Sequence, residues 1–356
     1  MMGLFAGATF ALAAVTLYTP ARSFALGLID RLFPALMSVS GRPPFFTEGF
    51  GDMKKVEFYV KDLPRCNPGM PKVDEKEGVF LSPYAKHLPD EVKQARFAVV
   101  GSLEDSEGIV LHLPATGDEG YGLRRKRYAM PLYKKHKIAS MLLMAPYYKY
   151  RRSTRQTSFE IPSIQDLGQQ SNAIVTEAVA LLKWARSKCP GKPLGVTGVS
   201  YGGSMSCLAA LLAPMDLAVS LLVPADRPVF LDSVLKSAVS PEVLRDGREK
   251  KLKRIFDSMS VAGFYEQLEE HRRISAPSSP ASAQRKLVLV EMMGSHDNIV
   301  PSWSARAVFK TMSKARGVIA SELHEWPGGH ASSIAFHACS YVDKVARSIK
   351  LLSRAC

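Results

Sequence analysis

The chain has 356 residues, 46% of them hydrophobic, which is enough for one large domain with a well-buried core. The 47 basic and 33 acidic residues give a formal net charge of +14, a balance that favours anionic partners. Five scattered cysteines without a C-x-x-C pair indicate neither a disulfide framework nor a zinc site, and the sequence has no P-loop, Rossmann fingerprint or EF-hand.

The N-terminal segment, residues 1–45, is expected to target or anchor the protein. Residues 1–21 carry no charged side chain, and two modest apolar runs occupy 4–17 and 24–37. A signal peptide, a short membrane anchor and an organelle presequence all fit this pattern. The lack of a basic residue before the first run counts against secretion, and the lack of an acid before Asp30 favours a mitochondrial presequence. The secretory pathway is the alternative.

Residues 46–356 are predicted to form one domain of the α/β class. Short apolar runs typical of buried strands alternate with stretches of helical periodicity, as in a mostly parallel central sheet flanked by helices on both faces. Strands are predicted at 56–60, 95–102, 108–113, 138–144, 194–199, 219–223, 286–292 and 321–325, and helices at 124–136, 166–188, 204–213 and 332–352. About eight strands in this order fit an α/β-hydrolase fold.

The run L-G-V-T-G-V-S-Y-G-G at 194–203 reads as a buried strand that turns sharply into a helix, with Ser200 at the corner. Gly198, Ser200 and Gly202 spell G-x-S-x-G, the nucleophile elbow in which a strained turn exposes the serine hydroxyl. Only residues without a Cβ let the strand and helix backbones approach closely enough for this turn. A serine in an ordinary turn or helix cap is the alternative.

A hydrolase of this kind needs an acid and then a histidine after the serine. Asp297 follows the strand at 286–292, and His330, in W-P-G-G-H, follows the strand at 321–325, so both are expected at the carboxyl edge of the sheet. We predict that His330 takes the Ser200 proton and that Asp297 fixes the imidazole tautomer. An ordinary loop or surface role is the alternative for both. Weaker candidates are His324 and His337 for the base and Asp216, Asp226 and Asp232 for the acid. Of these three acids, Asp226 is the first alternative to Asp297.

The oxyanion hole is expected to use the backbone N–H of Tyr201, which follows the nucleophile, and one N–H from the loop after the strand at 108–113. That loop reads H-L-P-A-T-G-D-E-G, and Gly117 permits the bend that turns an N–H inward. Thr116, Gly117 and Asp118 are therefore the predicted donors, and an ordinary Gly-Asp turn is the alternative. The chemistry of such a site needs no cofactor.

Five stretches also carry a family resemblance: H-L-P-A-T-G-D-E-G-Y-G-L-R-R-K-R, I-A-S-M-L-L-M-A-P-Y-Y, P-L-G-V-T-G-V-S-Y-G-G-S-M-S, V-L-K-S-A-V-S and W-P-G-G-H. From about residue 80 to the C-terminus the chain resembles the alpha/beta hydrolase domain-containing protein 18 family. The resemblance implies an α/β-hydrolase fold, a triad of Ser200, Asp297 and His330, and deacylation of mitochondrial phospholipid, cardiolipin in particular. Two departures stand out, because Tyr201 replaces the Met expected in relatives and the region 275–284 is short.

Basic clusters at 124–137, 149–155 and 245–254 suit an anionic membrane surface, where each Lys or Arg contributes about 1 kcal/mol of attraction. Solvated helix faces are the alternative, and no nucleic-acid motif accompanies the clusters, so no nucleic-acid partner is expected. Arg124 and Arg125 follow the oxyanion loop, so we predict that they bind a phosphate head group at the mouth of the site. The predicted protein is a membrane-associated serine esterase whose substrate is a lipid acyl ester.

Two other functions stay open at this point: a non-catalytic lipid-binding scaffold with the same fold, and an acyltransferase that uses the same triad. Residues 233–284 are helical and basic in character and are a possible lid or insertion, because insertions at this position often cover hydrolase sites. A surface helical hairpin without a gating role is the alternative. The residues that could form the apolar underside of a lid are Met259, Val261, Phe264 and Tyr265. Acyl-chain preference and oligomeric state do not follow from the sequence.

Overall fold

The computed structural model of the chain describes residues 58–62, 73–156, 161, 164–226, 229, 260–275 and 285–355. The predicted targeting segment at 1–45 lies outside these ranges, as do Asp232, Met259 and much of the predicted insertion at 233–284. Within the described ranges, no helix combines the length and the hydrophobicity that crossing a bilayer requires.

One mixed sheet of nine strands forms the centre of the described part of the chain, in the order β1-β2-β3-β5-β4-β6-β7-β8-β9. The pairs β1–β2, β2–β3 and β3–β5 are antiparallel. The strands β5, β4, β6, β7, β8 and β9 run parallel to one another. The strands are β1 Tyr59–Asp62, β2 Glu75–Leu81, β3 Gln94–Val100, β4 Gly108–Leu113, β5 Ile138–Leu143, β6 Leu194–Val199, β7 Leu217–Leu222, β8 Leu287–Gly294 and β9 Val318–Trp326. The carboxyl ends of the six parallel strands therefore meet at one edge.

Helices cover both faces of this sheet. They are α1 Gly122–Arg124, α2 Met130–His136, α3 Ile164–Lys188, α4 Tyr201–Leu212, α5 Val261–Ser275, α6 Ser302–Met312, α7 His330–Phe336 and α8 Ala338–Ala355, and a π-helical turn, Arg125–Ala129, joins α1 to α2. Helices α2 and α8 pack on one face, while α3, α4, α5 and α6 pack on the other. Because β4, β5, β6, β7 and β8 are buried along their whole length, they read as continuous apolar runs.

The predicted fold class is confirmed, with two local differences. Strand β2 was not predicted, because the charged residues at 75–77 and Gly78 interrupt the apolar pattern that marks a strand. The helix predicted at 332–352 is in fact two helices, α7 and α8, which are separated at His337. The His337 ring packs against Trp326 with ring centroids 4.4 Å apart, a contact that accompanies the break.

The described part of the predicted insertion, helix α5, belongs to the helical layer of the domain. Val261 and Phe264 are buried in the main core, and the partly buried Tyr265 packs against it. These side chains therefore pack on the body of the domain rather than on the underside of a lid. A lid role for the rest of 233–284 stays a prediction.

Glu291 is an acid in the middle of strand β8 that is fully buried in the core. Neither of its carboxyl oxygens has a hydrogen-bond partner within the described residues. Burial raises the pKa of Glu291 well above its ordinary value of 4.5, so the folded protein favours the neutral, protonated form. The same burial, with Glu291 and Asp226 nearby, raises the pKa of the Cys207 thiol in α4.

We expect Glu291→Met to stabilise the protein, and more so at high pH. The unfolded chain titrates near 4.5 and the folded chain at higher pH, so the stability contributed by the protonated group is lost as pH rises through that window. Removal of an unsatisfied buried polar group is expected to raise the free energy of unfolding by about 1–3 kcal/mol at pH 5, with a larger gain at pH 8. Urea unfolding at both pH values measures this.

Glu291→Gln is the matched control, because it removes the titration but keeps a buried polar side chain of the same size. It is expected to flatten the pH dependence of the free energy of unfolding without the full gain of the methionine variant. Equal gains for Glu291→Met at pH 5 and pH 8 would show that Glu291 does not titrate as its burial requires.

Candidate active site

Ser200 occupies the sharp turn between β6 and α4, as the elbow motif predicts. Its backbone has φ 55° and ψ −123°, a left-handed conformation that costs a non-glycine residue about 1–3 kcal/mol. Two backbone hydrogen bonds hold the turn against the end of β7. Ser200 N donates to Leu222 O at 3.0 Å, and Ala225 N donates to Ser200 O at 3.1 Å.

Gly198 and Gly202 make this turn sterically possible. A Cβ on Gly198 would overlap the carbonyl group of Gly202, and a Cβ on Gly202 would lie 2.6 Å from Leu113 O. Both contacts are closer than real Cβ atoms show, so any side chain at Gly198 or Gly202 would displace the neighbouring backbone. The second contact also shows that the first turn of α4 lies directly against the end of β4, where the predicted oxyanion loop begins.

Asp297 and His330 form an acid–histidine pair at the same edge. His330 Nδ1 lies 2.7 Å from Asp297 Oδ2, and the two side chains are 11% and 1% exposed. The other carboxylate oxygen, Oδ1, accepts hydrogen bonds from Ile299 N at 2.9 Å and Val300 N at 2.7 Å. With Nδ1 directed to the carboxylate, Nε2 of His330 is the nitrogen able to accept a proton from a nucleophile.

Backbone contacts fix the loops that carry this pair. Ser295 N donates to Trp326 O and His296 N donates to Gly328 O, both at 2.9 Å, so the loop after β8 is bound to the loop after β9. His330 is the first residue of α7, whose start is capped by Gly329 and Ser332. The relative position of Asp297 and His330 therefore follows from the pairing of β8 with β9.

Ser200 Oγ forms no hydrogen bond to His330 or to any other residue within the described part of the chain. Ser200, Asp297 and His330 follow β6, β8 and β9, so all three lie at the carboxyl edge of the parallel strands. Nucleophile–base hydrogen bonds in hydrolases are often loose until substrate binds. The structure therefore brings the acid and the base into contact and places the serine at the same edge.

The weaker candidates have other partners. His324 Nε2 lies 3.0 Å from Glu322 Oε2 within β9, and His337 packs against Trp326. Asp216 Oδ1 accepts a hydrogen bond from Lys286 N at the opposite edge of the sheet, and Asp226 Oδ1 accepts one from Val261 N at the start of α5. Among the described residues, no group of three or more His, Cys, Asp and Glu side chains is placed to hold a metal.

In the predicted oxyanion loop, fewer backbone N–H groups are free to bind an oxyanion than the sequence indicates. Gly117, with φ +73°, forms the predicted bend, but its N–H donates to Tyr148 Oη at 2.8 Å. The N–H of Asp118 donates to Ala115 O at 3.2 Å. The N–H of Thr116 has no acceptor among the described residues, and neither has that of Ala115, which the sequence did not single out. Tyr201 N–H, in the first turn of α4, stays the predicted second donor.

Of the two predicted head-group arginines, Arg124 faces inward, which corrects the sequence interpretation for that residue, and Arg125 is partly exposed. Arg124 is 3% exposed, and its guanidinium binds Asp118 Oδ2 at 2.5 Å, His112 O at 2.7 Å and Gly120 O at 2.8 Å. Arg125 pairs with Glu75 of β2. A buried guanidinium needs such partners, and charge clusters in a sequence do not show which side chains will find them.

Three polar side chains near the site were not predicted, because nothing in their sequence context marks them. Tyr148, in the loop after β5, accepts the Gly117 N–H, and burial raises its pKa to about 12, so the hydroxyl stays neutral. Ser171 Oγ in α3 lies 2.5 Å from Tyr201 Oη, next to the nucleophile. His112, at the end of β4, is also buried, and burial beside Arg124 lowers its pKa to about 3, so it stays uncharged.

A sheet of this order, a strained serine after β6 and an acid–histidine pair after β8 and β9 are together the architecture of an α/β hydrolase. The sequence supports the same assignment at the level of a family. The profile of the family described as "Alpha/beta hydrolase domain containing 18" matches residues 67–340, and the chain belongs to this family.

Solved structures resemble the fold at low sequence identity. The acetyl xylan esterase from Paenibacillus sp. R4 aligns with a TM-score of 0.54 and 13% identity, over 88% of this chain and 98% of that chain. Acetyl xylan esterase 1 from Thermoanaerobacterium sp. JW/SL YS485 aligns with a TM-score of 0.52 and 13% identity, over 86% and 98% of the two chains. At this identity the likeness concerns the fold alone.

If Asp297 is the acid partner of His330, Asp297→Asn is expected to lower turnover by about 10⁴-fold, because the amide favours the wrong imidazole tautomer. Asp226→Asn is the matched control, since Asp226 was the reserve acid and its Oδ1 accepts a hydrogen bond that an asparagine oxygen can also accept. Turnover of a soluble nitrophenyl ester measures both variants. A large loss in Asp226→Asn with little loss in Asp297→Asn would reverse the assignment.

Proposed function

We propose that the protein is a serine hydrolase that cleaves acyl esters of membrane phospholipid, of the cardiolipin type, at a mitochondrial membrane. Ser200 is the nucleophile, His330 the general base and Asp297 the residue that orients it. The hydroxyl attacks the ester carbonyl, the alcohol leaves with the proton held by His330, and water then hydrolyses the acyl-enzyme. A fluorescent fusion that fills the secretory pathway would contradict the location.

The observation that carries the proposed reaction is the Asp297–His330 hydrogen bond at the edge where Ser200 sits in a strained turn. Strained backbone persists only where the surrounding structure enforces it, and it clusters at functional sites. A histidine whose Nδ1 contacts a buried carboxylate is prepared to receive a proton at Nε2. A scaffold that only binds lipid has no need of these features at the ends of three different strands.

Large exposed apolar side chains near the site support a lipid substrate. Ile299 and Trp303 follow Asp297, Phe336 ends the helix that His330 begins, and Leu123 follows the oxyanion loop. These four residues form what we call the apolar rim, with Leu123 43%, Ile299 42%, Trp303 45% and Phe336 81% exposed. Exposed apolar side chains on segments that follow the carboxyl edge of the sheet favour contact with a hydrophobic phase.

Basic side chains beside this rim support an anionic surface. Lys126 and Arg127 are exposed in the π-helical turn next to Leu123, and neither pairs with an acid among the described residues. Arg127 Nη1 donates to Ala335 O at 3.0 Å, which places this turn against the helix that carries Phe336. Apolar and cationic side chains thus adjoin one another, as binding to an anionic bilayer requires.

Labelling by a fluorophosphonate probe tests the reaction without assuming a substrate. We expect the purified wild-type protein to be labelled and both Ser200→Ala and His330→Ala to lose labelling, because the probe reacts only with an activated serine. Folding of each variant is checked by thermal unfolding. A well-folded wild-type protein without labelling, in the presence and absence of cardiolipin vesicles, would favour the scaffold function.

Phospholipid vesicles test the substrate. Trp303→Ser and Phe336→Ser are each expected to lower the ratio of vesicle hydrolysis to soluble-ester hydrolysis about tenfold, since burial of a large apolar side chain contributes about 1.5–3 kcal/mol. Ile319→Ser is the matched control, because Ile319 is 49% exposed but lies at the start of β9, at the opposite edge of the sheet. Equal ratios in all three variants would contradict the rim as a lipid contact.

The same vesicle assay separates lipid classes and acyl acceptors. Fatty acid release from cardiolipin vesicles that exceeds release from phosphatidylcholine vesicles supports an anionic phospholipid substrate. Transfer of the acyl group to an added lysolipid, in place of fatty acid release, would identify the acyltransferase alternative with the same triad.

A further inference from the structure

Arg124 is a buried cation whose contacts all lie around the predicted oxyanion loop. Its Nε donates to the Asp118 carboxylate, its Nη1 to His112 O and its Nη2 to Gly120 O, at 2.5, 2.7 and 2.8 Å. His112 belongs to β4, which precedes the loop, and Asp118 and Gly120 belong to the loop itself. One guanidinium therefore joins the end of the strand to the far side of the loop.

The loop has few other means of support. The backbone hydrogen bonds of residues 115–120 within the described part of the chain run from Asp118 N to Ala115 O, from Glu119 N to Gly117 O and from Gly120 N to Asp118 O. All three are internal to the loop, so they fix its shape but not its position. Ala115 packs against the hydrophobic core at one end of the loop. The polar contacts of the loop to its surroundings come from side chains, which are Arg124 on one side and the loop after β5 on the other.

On that other side, two side chains meet the loop. Tyr148 Oη accepts the Gly117 N–H at 2.8 Å, and Arg152 Nη2 donates to both carboxylate oxygens of Glu119 at 2.5 and 2.6 Å. Tyr148 and Arg124 are both 3% exposed, whereas the side chain of Arg152 is 35% exposed. The buried contacts are worth more than the exposed ion pair, which solvent screens.

We propose that Arg124 is a positioning residue that sets the oxyanion-hole N–H of Ala115 or Thr116 against Ser200 by clamping the loop 114–120 to the end of β4. The inference rests on the proposed hydrolase function. It assigns Arg124 a role in stabilising the transition state through the loop, without contact with substrate. It also gives Asp118, whose backbone N–H was one of the three predicted donors, the role of anchor for the clamp through its carboxylate.

The geometry requires arginine rather than a generic cation. The planar fork of a guanidinium reaches three acceptors on two sides of the loop at once, whereas a lysine ammonium is a point charge on a flexible stem. An oxyanion donor must lie within a narrow range of distance from the developing charge, and loss of one donor costs about 10²- to 10³-fold in turnover. A small displacement of the loop is therefore expected to affect turnover more than binding.

The experiment compares Arg124→Lys, Arg124→Met and Arg124→Ala with the wild-type protein on p-nitrophenyl butyrate. Reactive sites are first counted by fluorophosphonate titration, so that kcat refers to folded, active protein. We expect Arg124→Met to lower kcat per active site about 10²-fold, the cost of one misplaced donor, with KM changed less than threefold. Arg124→Lys is expected to be intermediate, and millimolar guanidinium is expected to restore part of the kcat of Arg124→Ala.

Transition-state binding gives a readout that a purely structural role does not move. Inhibition by a trifluoromethyl ketone, whose adduct carries an oxyanion, is expected to weaken across the variants by the same factor as kcat/KM falls. Arg285→Lys is the control. Arg285 is also partly buried and donates to two backbone carbonyls, Ala210 O and Ala213 O, but at the far end of α4. It is expected to keep its kcat per active site.

Two outcomes separate this inference from the proposed function. If the wild-type protein is active and the Arg124 variants lose titratable sites but keep kcat per site, Arg124 only supports folding and the inference is wrong. If the wild-type protein neither reacts with the probe nor hydrolyses the ester, the proposed function itself fails. Should Arg124→Met and Arg124→Ala not fold, Asp118→Asn tests the same clamp from its other end, with the same expected split between kcat and KM.

Discussion

The whole site depends on the close approach of α4 to the ends of β4 and β7. At Gly198 and Gly202 the strand and helix backbones are so near that no Cβ fits, and this proximity holds Ser200 in its left-handed turn. The strain costs about 1–3 kcal/mol, which the hydrogen bonds from Ser200 N to Leu222 O and from Ala225 N to Ser200 O help to offset. The parallel sheet brings the remaining parts of the site together, because it directs the segments after β4, β6, β8 and β9 to one edge.

The basic residues of the protein fall into two groups, those that pair within the fold and those that do not. Several of the basic residues are paired with acids, since Arg124 pairs with Asp118, Arg125 with Glu75 and Lys135 with Asp343. Buried guanidinium groups act as cross-links, because each one satisfies several carbonyl and carboxylate acceptors at once. Cations that pair with no acid in the described part of the chain, such as Lys126, are available to an external partner. The net charge of +14 already counts each such pair as neutral, so it does not show where the unpaired cations lie on the surface.

The sequence predicts the positions of Ser200, Asp297 and His330 because each follows a strand, and the end of an apolar run in the sequence shows where a strand ends. The fold class follows for the same reason. Strand β2 could not be predicted from the sequence, because most of its side chains are charged or only partly buried. The inward turn of Arg124 could not be predicted, since burial of a charge depends on acceptors from Asp118, Gly120 and His112 that only the folded loop brings together.

The parts of the site differ in what holds them. Backbone hydrogen bonds to strand ends fix Ser200 and the loops that carry Asp297 and His330, so those positions follow from the sheet and change only if the sheet does. The loop 114–120 is held instead by the side chains of Arg124, Tyr148 and Arg152. Tyr148 belongs to the main core and Arg124 is buried, whereas Arg152 is partly exposed and can be replaced without disturbing the core. If the loop supplies the oxyanion donor, substitutions at these contacts are therefore expected to change turnover while Ser200, Asp297 and His330 stay in place.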